Sequence, residues 1–378
     1  MTDPVADALP LSGVRVLDLS RILAGPWCAQ VLGDLGAEVV KVEHPQRGDD
    51  TRDWGLRTTP TNTSYFDSVN RNKRSVAIDL ATPEGLARVK AMARESDVVI
   101  ENFKTGGADR LGLGYAALSA ENPGLIYCSV TGYGSEGPEA KRPGYDLLVQ
   151  GEAGLMALNG EADQPPLKFG VAAVDLFTGQ YAAQAVLAAL YQRSRTGRGR
   201  HVELALFDCG LAITSYYGLE ALVQGKDPPR YGNAHPSIVP YGVFEAADGP
   251  VVITVGNNAQ FRRFCESVIA RPELADDPRF ATNLERSRNR EALLPELRAE
   301  LLKHSRTDLL ARLRAEGIPA GEVLGLHAAL TSERARAAGM VVQAGTDGAA
   351  RFVLAPPYRF DGKRLPVRAL PPPLDTAD

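Results

Sequence analysis

The N-terminal part of the chain, residues 14–43, alternates between β-branched runs and a helical segment, and this order constrains the fold more than any other feature. Residues 14–19 and 36–43 predict strands, and residues 24–35 predict a helix between them. Such a βαβ unit is right-handed and its strands are parallel. Further strands are predicted at 76–80, 98–101, 125–130 and 202–207, with helices from Thr82 and over 176–192. The sequence therefore predicts an α/β fold with a parallel sheet.

The composition of the chain changes at residues 225–230, where a Gly and two Pro residues break the pattern of strands and helices. A hairpin is predicted from 241–245 and 251–255, followed by helices near 259–270, 290–304 and 307–316. We expect a large α/β domain over 1–205, a linker over 206–228 and a small α+β domain over 229–325. The Gly- and Pro-rich segment 326–378 is expected to lie on another surface.

Charge and cysteine content exclude several classes of function. The 378 residues carry 42 Lys and Arg against 46 Asp and Glu, so no global positive field is available to bind nucleic acid. The four cysteines are far apart, which indicates neither a metal site nor a disulfide framework and fits the cytoplasm. No apolar stretch predicts a membrane span or a signal peptide.

Basic residues cluster near the ends of predicted strands. The clusters are residues 71–74, Lys104 and Arg110 around Asn102 and Phe103, and Lys141 with Arg142. Ligands of open α/β sheets bind beyond the carboxyl ends of the strands, so the clusters are candidates to bind one anionic ligand, and Phe103 to cover an aromatic base. The alternative is that each cluster is solvated surface. A dinucleotide is not expected, because residues 20–26 lack the GxGxxG spacing.

Asp175 directly precedes the long apolar segment 176–192. The positive end of a helix there would favour an ionised carboxylate, as a nucleophilic aspartate requires. The alternative is a simple helix N-cap, a position that Asp often takes. His44 and His235 are candidates for a proton shuttle or for structural histidines, since no Ser/His/Asp or HExxH pattern surrounds them.

Several separate motifs together cover nearly the whole chain. They are residues 13–19 with 24–26, 34–43, 72–75, 101–103 with 110–112, 132–134 with 137–138, Asp175 with Gly179, and 195–199. In this order they resemble the CaiB/BaiF family, the class III CoA-transferases, which include the α-methylacyl-CoA racemases. The resemblance implies a Rossmann-like large domain to which the C-terminal segment 326–378 returns, a smaller α+β domain, and a homodimer of interlocked rings.

The resemblance also implies a mechanism in which Asp175 is the catalytic residue. Its carboxylate would attack the thioester of a donor acyl-CoA, giving a mixed anhydride, and the released thiolate would then form an aspartyl-CoA thioester. A carboxylic acid would complete the transfer by the reverse sequence. Coenzyme A and acyl-CoA are therefore implied as substrates, with succinyl-CoA as a candidate donor, and no tightly bound cofactor is implied.

The same matches imply a set of binding residues. Ile22 and Ala24 would line the pantetheine path, and Tyr145 and Asp146 would lie beside the reacting thioester. The adenine and the phosphates would be bound by His44, Asn72, Lys73, Arg74, Asn102, Phe103 and Arg110. Lys141 or Arg142 would also reach CoA.

Two alternatives to a transferase remain. Racemisation needs a base on each side of an α-carbon. The racemase branch has a His and a Glu where this sequence has Tyr145 and Asn258, which favours the transferase. The other alternative is a CoA-binding protein without catalysis, because a fold does not guarantee chemistry. Formate and oxalate are not expected as substrates, since Leu23 replaces a Gln of the formyl-CoA branch and its Gly-run loop is absent.

Overall fold

The computed structural model describes residues 9–344 and 350–374, and the chain divides into two compact units. The first unit comprises Met1–Leu155, Lys168–Lys226 and Leu330–Asp378, and the second comprises Met156–Leu167 and Asp227–Ala329. The domain boundaries expected from the sequence stay predictions. The segment expected as a linker contains two helices, Leu206–Ala212 and Tyr216–Gln224.

A parallel sheet forms the centre of the first unit. Its strands are β1 (Arg15–Asp18), β2 (Glu38–Glu43), β3 (Lys73–Ala77), β4 (Val98–Glu101), β5 (Ile126–Thr131) and β6 (Arg200–Ala205). They are all parallel and lie in the order β3-β2-β1-β4-β5-β6, which is that of a doubly wound sheet. The prediction of an α/β fold with a parallel sheet is confirmed. The strand order reverses at β1 and β4, where such sheets bind their ligands.

Helices cover both faces of this sheet. They are α1 (Ala24–Asp34), α2 (Ser64–Ser68), α3 (Pro83–Arg94), α4 (Gly107–Arg110), α5 (Tyr115–Glu121), α6 (Asp146–Glu152), α7 (Leu155–Leu158, across the unit boundary), α8 (Ala173–Thr196), α9 (Leu206–Ala212) and α10 (Tyr216–Gln224), with a 3₁₀ turn at Asp50–Asp53. Because side chains alternate along a strand, Val16 of β1 packs in the core that includes α1 and α8, and Leu17 packs in the opposite core with α3 and α5. Both residues are almost fully buried.

The ends of the helices follow from local chemistry. Thr82 caps α3, as predicted: its hydroxyl accepts the Gly85 N–H, and Pro83 occupies the first turn. Gly197 ends α8 in the left-handed conformation. The predicted strand 76–80 was wrong by three residues, because β3 spans Lys73–Ala77 and so includes part of a basic cluster that was expected in a loop.

The second unit has a small antiparallel sheet and its own core. Strands β7 (Tyr241–Ala246), β8 (Gly249–Thr254) and β9 (Ala320–Glu322) form the sheet, and the predicted hairpin is confirmed as β7 and β8. The helices are α11 (Asn258–Arg263), a π-helical turn at Phe264–Val268, α12 (Pro272–Asp276), α13 (Asn283–Arg288), α14 (Arg290–Leu301), α15 (Arg306–Ala315) and α16 (Leu326–Thr331, across the unit boundary). Ser305 caps α15, which begins at Arg306, one residue before the predicted start at Thr307. The smaller α+β composition is confirmed.

The C-terminal part of the chain returns to the first unit. It contains α17 (Glu333–Ala338) and the short antiparallel pairs β10 (Val341–Ala344) with β11 (Arg351–Leu354) and β12 (Arg359–Phe360) with β13 (Lys363–Arg364). Leu365 packs in the core that includes α1 and α8. Within the part of the chain that the structure describes, no helix is both long and apolar enough to cross a membrane.

Candidate active site

A cleft of about 250 Å³ opens where β1, β4 and β5 end. Many residues implied by the sequence line it together: Ile22, Ala24, Asn102, Phe103, Lys141, Arg142, Tyr145 and Asp175. These residues are distant in sequence, and the carboxyl ends of the parallel strands bring the loops that carry them to one edge of the sheet. The lining combines apolar residues with four cationic residues and a single carboxylate, Asp175; the cationic residues are Arg21, Lys104, Lys141 and Arg142.

A close contact between helices α1 and α8 positions Asp175. Gly179 lies one turn after Asp175, and a Cβ atom at Gly179 would stand 2.5 Å from the carbonyl oxygen of Ala24. Only a glycine permits this approach. The second turn of α8 therefore lies against the first turn of α1 at Ala24, and Asp175, one turn earlier in α8, lines the same cleft as Ala24.

Asp146, which belongs to the neighbouring helix α6, binds the first turn of α8. One oxygen of its carboxylate accepts the backbone N–H groups of Val174 (2.8 Å) and Asp175 (3.3 Å). The other oxygen accepts from the Gln150 amide at 2.6 Å. Asp175 itself does not cap α8, whose N-cap residue is Ala172. The interpretation of Asp175 as a simple N-cap was therefore wrong.

The pKa of Asp175 is raised to about 7, chiefly because the carboxyl is buried and secondly because Asp146 carries a negative charge nearby. The expectation that the helix end would favour an ionised Asp175 was thus wrong. The physical reason is that Asp146 already occupies the free N–H groups of that end. A carboxyl with such a pKa is ionised in about half the molecules at neutral pH, and its weak solvation leaves it a reactive nucleophile.

The turn after β1 forms the wall of the cleft at Ile22. Ile22 has a φ of 72°, an unfavourable conformation for a β-branched residue. Its N–H donates to the Asp49 carboxylate at 3.3 Å, and Asp49 forms a buried ion pair with Lys41 at 2.9 Å. Lys41 also donates to the carbonyl of Ser20 at 2.7 Å. The buried Lys41–Asp49 pair therefore binds the backbone of the turn at both Ser20 and Ile22.

A neighbouring cleft of about 310 Å³ lies beyond the ends of β1, β2 and β3. His44 lines it, as do Arg47 and Asp79. Arg21 and Phe103 line both clefts, so the two clefts are adjacent at these residues. His44 Nδ1 accepts the N–H groups of Gln46 and Arg47, so its Nε2 is the ring nitrogen available to a ligand.

Lys141 and Arg142, which the sequence could not distinguish, have different environments. The Arg142 guanidinium pairs with Glu139 (3.0 Å) and Glu152, and lies over the ring of Tyr133. Lys141 is exposed at the cleft and forms no ion pair with any of the residues described. Its charge is therefore the more available to an anionic ligand. Tyr145 is 62% exposed at the mouth of the cleft.

Five implied binding residues line neither cleft: Asp146, whose contacts with α8 are given above, and Asn72, Lys73, Arg74 and Arg110. Lys73 is buried because it belongs to β3, and its ammonium bonds Asp18 (2.9 Å), the Pro26 carbonyl and Asn70. Asn72 accepts the N–H groups of Arg368 and Ala369, which fastens the C-terminal segment.

The remaining two of these residues are exposed. Arg74 points to the other face of the edge strand β3, since side chains alternate along a strand. Arg110 ends the short helix α4 beside Gly106, near the Phe103 loop. Sequence reasoning missed Arg21 and Arg47, although both line a cleft. Lys104, which belongs to one of the basic clusters but not to the set implied by the resemblance, lines a cleft as well. The position of Arg21 after the first strand was the available signal.

A parallel α/β sheet with a carboxylate and cationic residues in a cleft at its carboxyl edge is suited to an enzyme that acts on an anionic ligand. A profile of the family described as CoA-transferase family III matches residues 11–377. A succinate–glutarate CoA-transferase of Agrobacterium fabrum is 43% identical over 348 residues, which cover 90% of this chain and 87% of the relative. The chain belongs to CoA-transferase family III and is a CoA-transferase.

Two further relatives and a solved structure agree with this assignment. A succinyl-CoA:glutarate CoA-transferase of Mus musculus is 40% identical, with 97% of this chain and 84% of the relative covered. An acetyl-CoA:oxalate CoA-transferase of Acetobacter aceti is 39% identical, with 91% and 88% covered. The crystal structure of a CaiB/BaiF family protein from Brucella suis has a TM-score of 0.87 and 44% identity, and 97% of each chain is covered.

Proposed function

We propose that this protein transfers coenzyme A from succinyl-CoA to a second small carboxylic acid through a covalent intermediate on Asp175. The observation that carries the proposal is the Asp175 carboxyl, which lines the cleft and whose pKa is raised to about 7. The names of the relatives support a succinyl donor and a dicarboxylate such as glutarate as acceptor. Oxalate, which we did not expect from the sequence, appears in the name of one relative and belongs among the acceptors to be tested.

The chemistry balances without any redox step or added cofactor. A carboxylate oxygen of Asp175 attacks the thioester carbonyl, the C–S bond breaks, and the thiolate of CoA leaves a mixed anhydride behind. The thiolate then attacks Cγ of Asp175, which releases succinate and forms the aspartyl-CoA thioester. The acceptor carboxylate attacks the same carbon and expels CoA, whose thiolate finally attacks the acyl carbonyl and regenerates Asp175. Retention of CoA in the cleft keeps each step intramolecular in effect.

The residues around Asp175 have distinct roles in this proposal. Asp146 keeps Asp175 in place by binding its backbone N–H, and its charge keeps the pKa high. The first turn of α1 begins at Ala24 without a side-chain cap, so its amides supply partial positive charge beside the reacting carbonyl. Lys141, Lys104, Arg47 and His44 bind CoA along the two clefts, with Phe103 against the adenine.

Racemisation is less well supported because the two positions that would need bases hold other residues. Asn258 lies in the second unit, where its side-chain oxygen accepts from the Asn283 N–H and the buried Arg286 guanidinium. An amide used in this way cannot exchange protons with a substrate. We therefore retain transfer as the function.

A homodimer, interlocked as the resemblance implies, is part of the proposal. The first unit exposes large apolar side chains that a second chain would cover: Phe177 (48%), Tyr191 (68%), Leu219 (66%), Leu222 (82%) and Val223 (87%). The four cysteines are free and buried thiols, which supports the cytoplasm as the location. Sedimentation equilibrium tests the dimer, and a monomer at micromolar concentration contradicts it.

The function is tested by following thioester exchange with mass spectrometry. The protein is incubated with succinyl-CoA and, separately, glutarate, oxalate or a 2-methyl acid, and we expect a new acyl-CoA to form with release of succinate. Asp175→Ala should abolish exchange, whereas Asp163→Ala, a change at an exposed carboxylate of the second unit, should not. Undiminished exchange in Asp175→Ala contradicts the mechanism. Deuterium uptake at the α-carbon of a 2-methylacyl-CoA without any acceptor acid would instead indicate a racemase.

A further inference from the structure

Arg21 lies where the two clefts join. Arg21 lines both of them, and the only other residue that does so within the described chain is Phe103. A ligand that extends from Asp175 in one cleft to His44 in the other therefore passes beside Arg21.

The backbone of Arg21 is fixed while its side chain is not. The side-chain amide of Asn102 accepts the Arg21 N–H at 2.9 Å and donates to the Arg21 carbonyl at 2.8 Å. The guanidinium has a single ion-pair partner among the described residues, Asp50, at 3.3 Å. The two side chains are 54% and 41% exposed. Ion pairs with such exposure contribute little free energy, so a stronger anion can replace the carboxylate at small cost.

The chemistry of the ligand identifies that anion. In coenzyme A the diphosphate lies between the pantetheine arm, which must reach Asp175, and the adenosine. The planar guanidinium of arginine binds phosphate oxygens in pairs and more strongly than it binds a solvated carboxylate. Resting on the proposed function, we propose that Arg21 binds the diphosphate of coenzyme A and that Asp50 is the competing anion which the diphosphate displaces.

This role makes Arg21 a binding residue whose effect depends on the diphosphate. Removing its guanidinium should weaken every ligand that contains the diphosphate and spare a ligand that lacks it. Removing the Asp50 carboxylate should have the opposite effect, since it frees Arg21 in the unliganded protein. Neither change should unfold the protein, because each side chain is about half exposed and neither belongs to a packed core.

The test measures equilibrium binding rather than turnover. Calorimetry gives the dissociation constants of CoA and dephospho-CoA, and ligand-observed NMR gives that of pantetheine. Arg21→Met should weaken CoA and dephospho-CoA by about 10- to 100-fold, as expected for lost charged hydrogen bonds, and leave pantetheine unchanged. Arg15→Met is the matched control, because Arg15 is also 54% exposed and pairs with a carboxylate, Glu95, outside both clefts. Circular dichroism confirms that each variant is folded.

Several results would overturn the inference. An equal loss for pantetheine would mean that Arg21 does not act through the diphosphate. A loss for CoA but not for dephospho-CoA would assign Arg21 to the 3′-phosphate. A folded Arg21→Met variant with unchanged affinities would refute any role in binding. An unchanged protein that binds none of these probes would overturn the proposed function, and this inference with it.

The competition with Asp50 has its own test. Asp50→Asn should tighten CoA binding, and the gain should be larger in the unchanged protein than in Arg21→Met. Equal gains in the two backgrounds would show that Asp50 repels CoA only through its general charge, which contradicts a displaced ion pair.

Discussion

Replacing Asp175 by Asn should stabilise the protein, and the gain should grow with pH. Burial and Asp146 raise the pKa of Asp175 from its usual 3.8 to about 7, so the folded chain holds a proton that the unfolded chain releases. Below pH 4 both states are protonated and the pKa difference costs nothing. Between pH 4 and 7 the free energy of unfolding falls as pH rises, and above pH 7 the loss is constant. Asn carries no charge and avoids the loss.

The magnitude follows from the size of the shift. Three pKa units, from 3.8 to about 7, correspond to at most about 4 kcal/mol at pH 8 and about 1.6 kcal/mol at pH 5. The side chain of Asp175 is partly accessible to water at the cleft, and this solvation lowers both free energies in proportion. The advantage of Asp175→Asn should therefore widen by about 2 to 3 kcal/mol between pH 5 and pH 8.

Urea unfolding at the two pH values measures this difference. Each variant is compared with the unchanged protein at one protein concentration, since a dimer would make stability depend on concentration. Asp163→Asn, at an exposed carboxylate, is the control and should show no such widening. An Asp175→Asn advantage that stays the same at pH 5 and pH 8 would refute the raised pKa and the environment that we infer for Asp175.

Other predictions follow from neighbouring groups. Asp146→Asn removes the negative charge beside Asp175, so the acid limb of the pH–rate profile should move to lower pH; a limb that stays in place or moves up argues against this. Lys73→Met should destabilise the protein by about 3 to 5 kcal/mol in urea unfolding, because it leaves a buried carboxylate unpaired. Its folded fraction should bind CoA normally, whereas a direct role in CoA binding predicts weaker binding. Lys141→Met should raise the KM for acyl-CoA more than Arg142→Met does; the reverse order would contradict the assignment of the free charge to Lys141.

Much of the first unit could be predicted because local sequence patterns specify its strands and helices. The strand–helix–strand order at 14–43 and the cap at Thr82 are local features, and both are found in the structure. Strand β3 was misplaced because Lys73 is a charged residue in a buried strand. The carboxylate of Asp18, distant in the sequence, compensates the buried charge of Lys73, and no local pattern shows such a partner.

The candidate site was only partly accessible for the same reason. The residues that line the clefts could be collected from a resemblance, but their partners could not. The hydrogen bonds of Asp146 with the first turn of α8 join residues 28 and 29 positions apart, and they occupy the N–H groups that were expected to favour an ionised Asp175. Whether Lys141 or Arg142 has the charge that is free to bind a ligand likewise depends on Glu152 of helix α6, which pairs with Arg142. Tertiary contacts of this kind decide which charges are free to bind a ligand.

The covalent intermediate on Asp175 is the central claim, and mass spectrometry of the intact protein tests it most directly. After incubation with succinyl-CoA and no acceptor acid, we expect a population heavier by one CoA less one water. Tryptic digestion should place the adduct on the peptide of residues 169–193, which contains Asp175, and hydroxylamine should remove it. Asp175→Asn should carry no adduct. Exchange that proceeds without any adduct, or an adduct on another peptide, would contradict the account.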